Sequence, residues 1–296
     1  MRTSLLSVIN SGKILVSDGA WGTFLQQQGL QAGESPEEWN ISHPEVVKSI
    51  AQTYIAAGAD MVETNSFGGS CFKLEHFGLA DRVSEINEAA ARLSREAAGD
   101  EHWVIASIGP TGKMLVMGDV TEDEFYEAFK EQAIALERGG ADAVCIETMS
   151  DIAEAVAAIR AVKENTKLEI ICTFTFDAMG DETYFTMMGV SPVDAALTAT
   201  DAGADIIGTN CGNGLKNMES IVAQMRAAVP NVPILVHANA GLPEFRDGTT
   251  VFPESPEFMG ALIPAIIKAG ANIIGGCCGT TPAHISEIRK SVDSNR

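Results

Sequence analysis

The chain has 296 residues, of which 46% are hydrophobic, enough to bury a large core and too many for a disordered protein. A formal net charge of -20 argues against a scaffold that grips nucleic acid through its phosphates. No stretch approaches the roughly 20 apolar residues that cross a bilayer, and positions 1–10 lack a secretory signal pattern, so a cytoplasmic protein with no membrane partner is expected.

Ile14-Leu15-Val16-Ser17 reads as the first strand and ends on Asp18-Gly19. Residues 44–57 have helical periodicity and close on Ala57-Gly58-Ala59-Asp60, which leads directly into the strand Met61-Val62-Glu63-Thr64. A helix over 81–98 follows, then a strand from Trp103 to Ser107. Thr121 with Glu124 forms a capping box for a helix over 121–138. The earlier punctuation then returns as Gly139-Gly140-Ala141-Asp142 before the strand Ala143-Val144-Cys145-Ile146-Glu147-Thr148. After a helix over 152–164 and a strand over 168–174, Ser191-Pro192 starts a helix over 191–202. Ala202-Gly203-Ala204-Asp205 introduces Ile206-Ile207-Gly208-Thr209-Asn210. A helix over 215–228, a strand over 233–237 and a helix over 255–268 lead to Ala269-Gly270-Ala271-Asn272 and a last strand, Ile273-Ile274-Gly275-Gly276. Each punctuation glycine suits a left-handed helix cap.

Eight strands alternating with helices in this length predict an α/β fold, a single (β/α)8 TIM barrel over 1–290 with a short tail at 291–296. A doubly wound sheet is the competitor. The polar residues at the strand ends decide for the barrel, because a barrel gathers Asp18, Glu63, Glu147, Asn210, His237 and Cys277-Cys278 at one mouth.

The six cysteines include Cys145 and Cys172 in apolar strands, which read as buried free thiols. Cys277-Cys278 is different. Adjacent cysteines make a poor disulfide, but glycines at 275, 276 and 279 let both sulfurs turn toward a metal. Cys211 supplies a third soft ligand, and three thiolates favour Zn2+ with a fourth position open for chemistry. This set predicts a zinc enzyme that activates a thiol. No dinucleotide fingerprint or phosphate loop is present.

The chain resembles the homocysteine S-methyltransferase family. The resemblance is carried by Asp18-Gly19-Ala20-Trp21-Gly22-Thr23, Glu63-Thr64-Asn65-Ser66-Phe67, Gly109-Pro110-Thr111-Gly112, Glu147-Thr148, Asn210-Cys211, Asn239-Ala240-Gly241-Leu242-Pro243 and Gly275 through Thr280. It is strongest to the homocysteine-binding domain of cobalamin-dependent methionine synthase, although the folate, cobalamin and reactivation modules of that longer chain have no counterpart in these 296 residues. The resemblance implies a TIM barrel with zinc on Cys211, Cys277 and Cys278 and the homocysteine sulfur as fourth ligand. It also implies Asp18 and Glu147 on the substrate ammonium, with Gly19 allowing close backbone approach. Taken alone, either carboxylate could equally be a helix cap or a satisfied strand end.

Glu63 or Asn65 is expected to order the pocket or the methyl donor, and Asn239 to support the metal-bearing loops. Trp21, Phe67, Tyr184, Phe185, Met187 and Met188 are candidates for an apolar wall around the transferring methyl. The stretch from Asp181 to Gly189 departs from the family pattern, which leaves another small thiol open as acceptor. A methylated corrinoid on a separate protein is the expected donor. S-methylmethionine or a betaine-like molecule is the alternative, and a non-catalytic thiol- or zinc-binding protein a remote one.

Overall fold

The computed structural model describes residues 3–180, 182–246 and 249–295. Its main sheet contains eight parallel strands: β1 Leu15–Val16, β2 Met61–Glu63, β3 Trp103–Ile108, β4 Ala143–Met149, β5 Glu169–Phe174, β6 Ile206–Asn210, β7 Ile234–Ala238 and β8 Ile273–Gly276. Their hydrogen-bonded order is β1-β8-β7-β6-β5-β4-β3-β2, so the sheet curls until β1 and β2 meet, as in a (β/α)8 barrel. The intervening helices follow the predicted pattern closely, including Pro44–Ala56, Glu122–Arg138 with its Thr121/Glu124 capping box, and Pro192–Ala202 with proline in the first turn.

Two apolar shells hold the barrel. Leu15, Met61, Ile105, Cys145, Ile171, Ile206, Leu235 and Ile273 fill its interior, and a larger cluster lies between the strands and the outer helices. The helix Leu5–Asn10, too short to show periodicity in the sequence, plugs the interior with Leu5 and Ile9. The Glu169 carboxylate accepts from the Leu5 and Leu6 N–H groups at 2.8 and 3.1 Å, a favourable place for a negative charge at a helix start. At the other end of the chain the helix Pro282–Ser294 runs through positions expected as tail, with Val292 buried.

The fourfold punctuation has a physical basis. Gly58, Gly140, Gly203 and Gly270 all have φ between 101° and 120°, a left-handed conformation that ends each helix without a Cβ penalty. The polar residue two positions on then clamps the strand beside it. An oxygen on the side chain of Asp60, Asp142, Asp205 and Asn272 accepts from Val16, Val104, Ile170 and Ile234 N–H respectively, at 2.8 to 3.0 Å. The backbone N–H of each returns the bond to the carbonyl of the same strand residue. One clamp therefore serves two strands, which explains why the repeat spans two βα units.

The clamp matters most at β1 and β2, which share no ladder among the described residues. Asp60 ties that seam at the bottom of the barrel, and Asp18 ties it at the top by accepting from Glu63 N–H at 2.8 Å.

Asp205→Ala should lower stability by about 1–3 kcal/mol, because it leaves the Ile170 N–H without its acceptor. Asp205→Asn should recover most of the loss, since Asn272 does the same work in the fourth unit. Urea denaturation of the three proteins tests this, and equal losses for Ala and Asn would exclude the clamp.

Candidate functional site

Residues that follow β6, β7 and β8 bring three sulfurs together. The Sγ atoms of Cys211, Cys277 and Cys278 lie within 4.8 Å of one another, the only group of potential metal ligands of this kind among the described residues. Cys211 and Cys278 are 4.0 Å apart at sulfur. Tetrahedral zinc with Zn–S bonds of about 2.3 Å places sulfurs about 3.8 Å apart, so the trio fits zinc and leaves one position for a further ligand.

The backbone explains how the sulfurs converge. Cys211 adopts φ 56°, an unusual left-handed conformation for a side chain of its size. Its N–H donates to the His237 carbonyl at 2.9 Å, while Cys277 N–H donates to the Ala238 carbonyl at 2.7 Å, so the end of β7 holds both loops. After the pair, Gly279 has φ 80° and packs where a Cβ would strike the Phe252 ring. Thr280 Oγ1 then donates back to the Cys277 carbonyl at 2.7 Å.

Without a metal, hydrogen bonds from Cys277 and Cys278 pull the Cys211 thiol down to about 3, and Asn239 adds a further side-chain hydrogen bond to that sulfur. The same bonds push Cys277 above the ordinary thiol range and Cys278 up to about 11.

A cavity of about 270 Å³ opens over the cysteines. Gly19, Trp21, Glu37, Glu63, Asn65, Phe67, Glu147 and His237 are among its walls. Glu147 reaches it through a β-bulge: the pairing of β4 with β5 shifts between Ile146 and Met149, and Thr148 takes φ 62°. Ser107 Oγ donates to one Glu147 oxygen in a short hydrogen bond, and Asn210 Nδ2 donates to the other at 3.1 Å. Burial pushes the Glu147 carboxyl up to about 7, with the Ser107 bond opposing and the Cys211 and Asp18 charges adding. Glu63 rises well above the carboxylate range through burial and then the charges of Glu147 and Asp18. His237 Nδ1 lies 3.6 Å from Glu63 Oε1, and burial drives the imidazole down to about 4, so it is neutral at pH 7.

Several expected residues sit differently. Asp18 is 1% exposed and is not a wall of the cavity. Its Oδ2 accepts from Trp21 Nε1 at 2.9 Å and Glu63 N–H at 2.8 Å, and its Oδ1 from Ser17 Oγ at 3.2 Å. Burial raises it to about 6 against those bonds. Gly19 borders the cavity, but the room left by its missing Cβ is taken by Thr280 and Tyr54. The Asn65 amide donates to the Pro36 carbonyl and Asn40 Oδ1, fixing the loop after β2. Asn239 is off the cavity wall and beside Cys211.

Trp21 and Phe67 line the cavity as expected, with Phe67 lying over Gly109. Tyr184, Phe185, Met187 and Met188 do not line it. The chain after β5 forms a hairpin of Asp177–Ala178 with Tyr184–Phe185, and Glu182 carbonyl accepts from Gln224, so the hairpin leans outward on the helix Leu215–Ala228. Asp181 lies outside the described residues.

Glu37 and Ser107 were not expected at the site, and Asn210, expected at the barrel mouth, had no role assigned to its side chain. Glu37 accepts from Gly68 N–H and Ser35 Oγ and comes from a segment without any motif. Ser107 carried a signal, a hydroxyl at the end of an apolar strand. Asn210 fills its amide with four bonds, donating to Glu147 and Thr148 Oγ1 and accepting from Thr148 N–H and Thr173 Oγ1.

Comparison with known proteins agrees with this geometry. Methionine synthase of Mycobacterium tuberculosis is 33% identical over 98% of this chain, and that of Mycobacterium leprae 32% identical over the same share. The chain spans 25% of the length of each. The metallated homocysteine methyltransferase MmuM of Escherichia coli superposes with a TM-score of 0.79 at 22% identity, covering 96% of this chain and 98% of that one, which supports the barrel fold. The family model described as homocysteine S-methyltransferase matches residues 15–292, and the chain belongs to that family.

Proposed function

We propose that the protein moves a methyl group from a small cationic donor to the sulfur of homocysteine, giving methionine. The observation that carries this reading is the convergence of three cysteine sulfurs beneath a small cavity walled by carboxyl groups. Zinc held by Cys211, Cys277 and Cys278 would supply a Lewis acid that keeps a substrate thiol deprotonated at neutral pH.

The remaining work falls to the chain. Glu147, with Ser107 and Asn210 fixing its oxygens, is set to accept hydrogen bonds from the substrate ammonium. Trp21 and Phe67 form an apolar side to the cavity that keeps water from the transferring methyl. In the transfer, the sulfur's electron pair forms the new S–CH3 bond as the donor's bond to that methyl breaks. The donor leaves one unit less positive, as a thioether or a tertiary amine.

The donor reading follows from charge. The walls include Glu37, Glu63 and Glu147 and, among the described residues, no lysine or arginine, and aromatic faces at Trp21 and Phe67 attract cations. That combination suits a sulfonium or quaternary ammonium such as S-methylmethionine or a betaine. The methylated corrinoid on a separate protein, expected from the sequence, is the weaker reading. What favours it is the identity with methionine synthase, of which this chain spans 25%.

Protein purified without added metal should contain about one zinc per chain, and Cys278→Ser should lose most of it. Equal zinc in both proteins by elemental analysis would remove Cys278 from the site. Supplied with homocysteine, the zinc-loaded protein should turn over with S-methylmethionine or betaine faster than with methylcobalamin. Turnover with methylcobalamin alone would reverse the donor assignment.

Glu147→Gln should retain zinc and fold but weaken homocysteine binding by roughly 10- to 150-fold, the equivalent of one charge-assisted bond. An unchanged dissociation constant by calorimetry would exclude Glu147 as an ammonium anchor.

A further inference from the structure

We propose that Glu37 is the counter-charge of the methyl donor, fixed beside Phe67 across the mouth from Cys211, and that it selects donors whose methyl sits on a positively charged atom. The proposal rests on the reading that the donor is a small sulfonium or quaternary ammonium.

Displacement chemistry sets where such a donor stands. The attacking sulfur, the methyl carbon and the donor atom must lie in line, so the donor's charge sits on the far side of the methyl from the thiol. Cys211 follows β6, and in the ring of eight strands β2 stands opposite β6. Glu37 belongs to the β2 side. Its Oε1 accepts from Gly68 N–H at 2.8 Å and its Oε2 from Ser35 Oγ at 3.0 Å. In return Asn65 Nδ2 donates to the Pro36 carbonyl at 2.7 Å, which stitches this segment to the loop after β2. That loop is held from behind: Gln132 Nε2 donates to the Ser66 carbonyl and Asn87 Nδ2 to the Gly69 carbonyl, each at 2.8 Å. Pro36, Glu37 and Phe67 thus form one fixed stretch of the cavity wall.

The nature of an onium explains why this acid suits it. A sulfonium or quaternary nitrogen carries no N–H, so it has no use for a free acceptor; it needs a fixed negative charge and an aromatic face. Glu37 meets the first need. Both its oxygens are already bonded, it packs where a Cβ on Gly68 would fall 2.8 Å from Oε1, and at 5% exposure it is little screened by water. Phe67 meets the second, since its ring packs over Gly109 and is still 40% exposed. Glu147 stands at the thiol end instead, oriented by Asn210 immediately before Cys211. Because the donor's positive charge disperses during transfer, Glu37 steadies the bound donor more than the transition state.

Glu37→Gln keeps the shape and both internal bonds, since the amide oxygen can accept from Gly68 N–H and the amide nitrogen can donate to Ser35 Oγ. In the zinc-loaded protein at saturating homocysteine, KM for S-methylmethionine should rise roughly 5- to 50-fold with kcat no lower. Homoleucine, the neutral carbon analogue of that donor, should inhibit wild type and variant within about twofold of each other, and calorimetry should show homocysteine binding both within about twofold. Betaine with 3,3-dimethylbutyrate forms the same pair for a quaternary ammonium. Glu37→Asp keeps the charge and should keep the preference for the cation over its neutral analogue, which decides the matter if the Gln variant folds poorly; loss of the preference there would overturn the proposal. An unchanged KM in Glu37→Gln, or equal weakening of cation and neutral analogue, would overturn it and leave the onium reading standing. If the wild-type protein turns over with neither S-methylmethionine nor betaine, the donor reading itself fails and the proposal with it.

Discussion

The site depends on how the barrel closes. Seven of the eight strand interfaces are backbone ladders, and the eighth, between β1 and β2, is held by two aspartates. Asp60 belongs to the fourfold series of clamps at the bottom. Asp18 has no counterpart in that series and sits at the mouth, where its carboxylate replaces a missing ladder partner for Glu63. That carboxylate also holds the Trp21 indole and, unlike a backbone carbonyl, places negative charge next to Glu63 and Glu147. Closure of the fold and the electrostatics of the pocket are therefore parts of one arrangement.

The loops that carry the three clustered cysteines are built with the same economy of parts. Cys211 and Cys277 both hang from β7 through backbone bonds, so the spacing of their sulfurs follows from the spacing of the strands. The left-handed conformations at Cys211 and Thr148 are unfavourable individually, and each is held from more than one side. Asn210 is the shared support. It stands immediately before Cys211, bonds both the N–H and the hydroxyl of Thr148, and orients Glu147. One amide thus couples the position of Cys211 to that of Glu147.

Most of the scaffold was legible in the sequence because its signals are local. The Ala-Gly-Ala-Asp punctuation marks helix ends through glycine's access to positive φ, and all four cases adopt it. The three cysteines were legible because paired cysteines among glycines have few structural uses. What remained hidden depends on direction rather than presence. Asp18, Glu63 and Glu147 look alike as strand-end acids, and only the structure distinguishes Asp18, bonded to the Trp21 indole and the Glu63 N–H, from Glu63 and Glu147 on the cavity wall. The hairpin after β5 was expected at the site from its place after a strand, but its contact with an outer helix turns Tyr184 to Met188 away. The plug helix Leu5–Asn10 and the Glu37 loop gave no periodic signal, since one is too short and the other irregular.

The pocket's charge carries a further consequence. Two carboxyl groups with raised pKa values, Glu63 and Glu147, and three thiols border a small volume, the raised Asp18 carboxyl lies beside them, and among the described residues no lysine or arginine lines the space. Such a cluster is poorly solvated, and its members resist sharing full negative charge. Cations that enter are stabilised twice, by direct hydrogen bonds and by relief of that repulsion. Under the proposed function a substrate ammonium would lower the raised pKa values of the acids it meets and so allow more of them to ionise. Under the proposed function a neutral analogue of the same shape would lose both contributions, so charge as well as fit bears on which ligands this cavity takes.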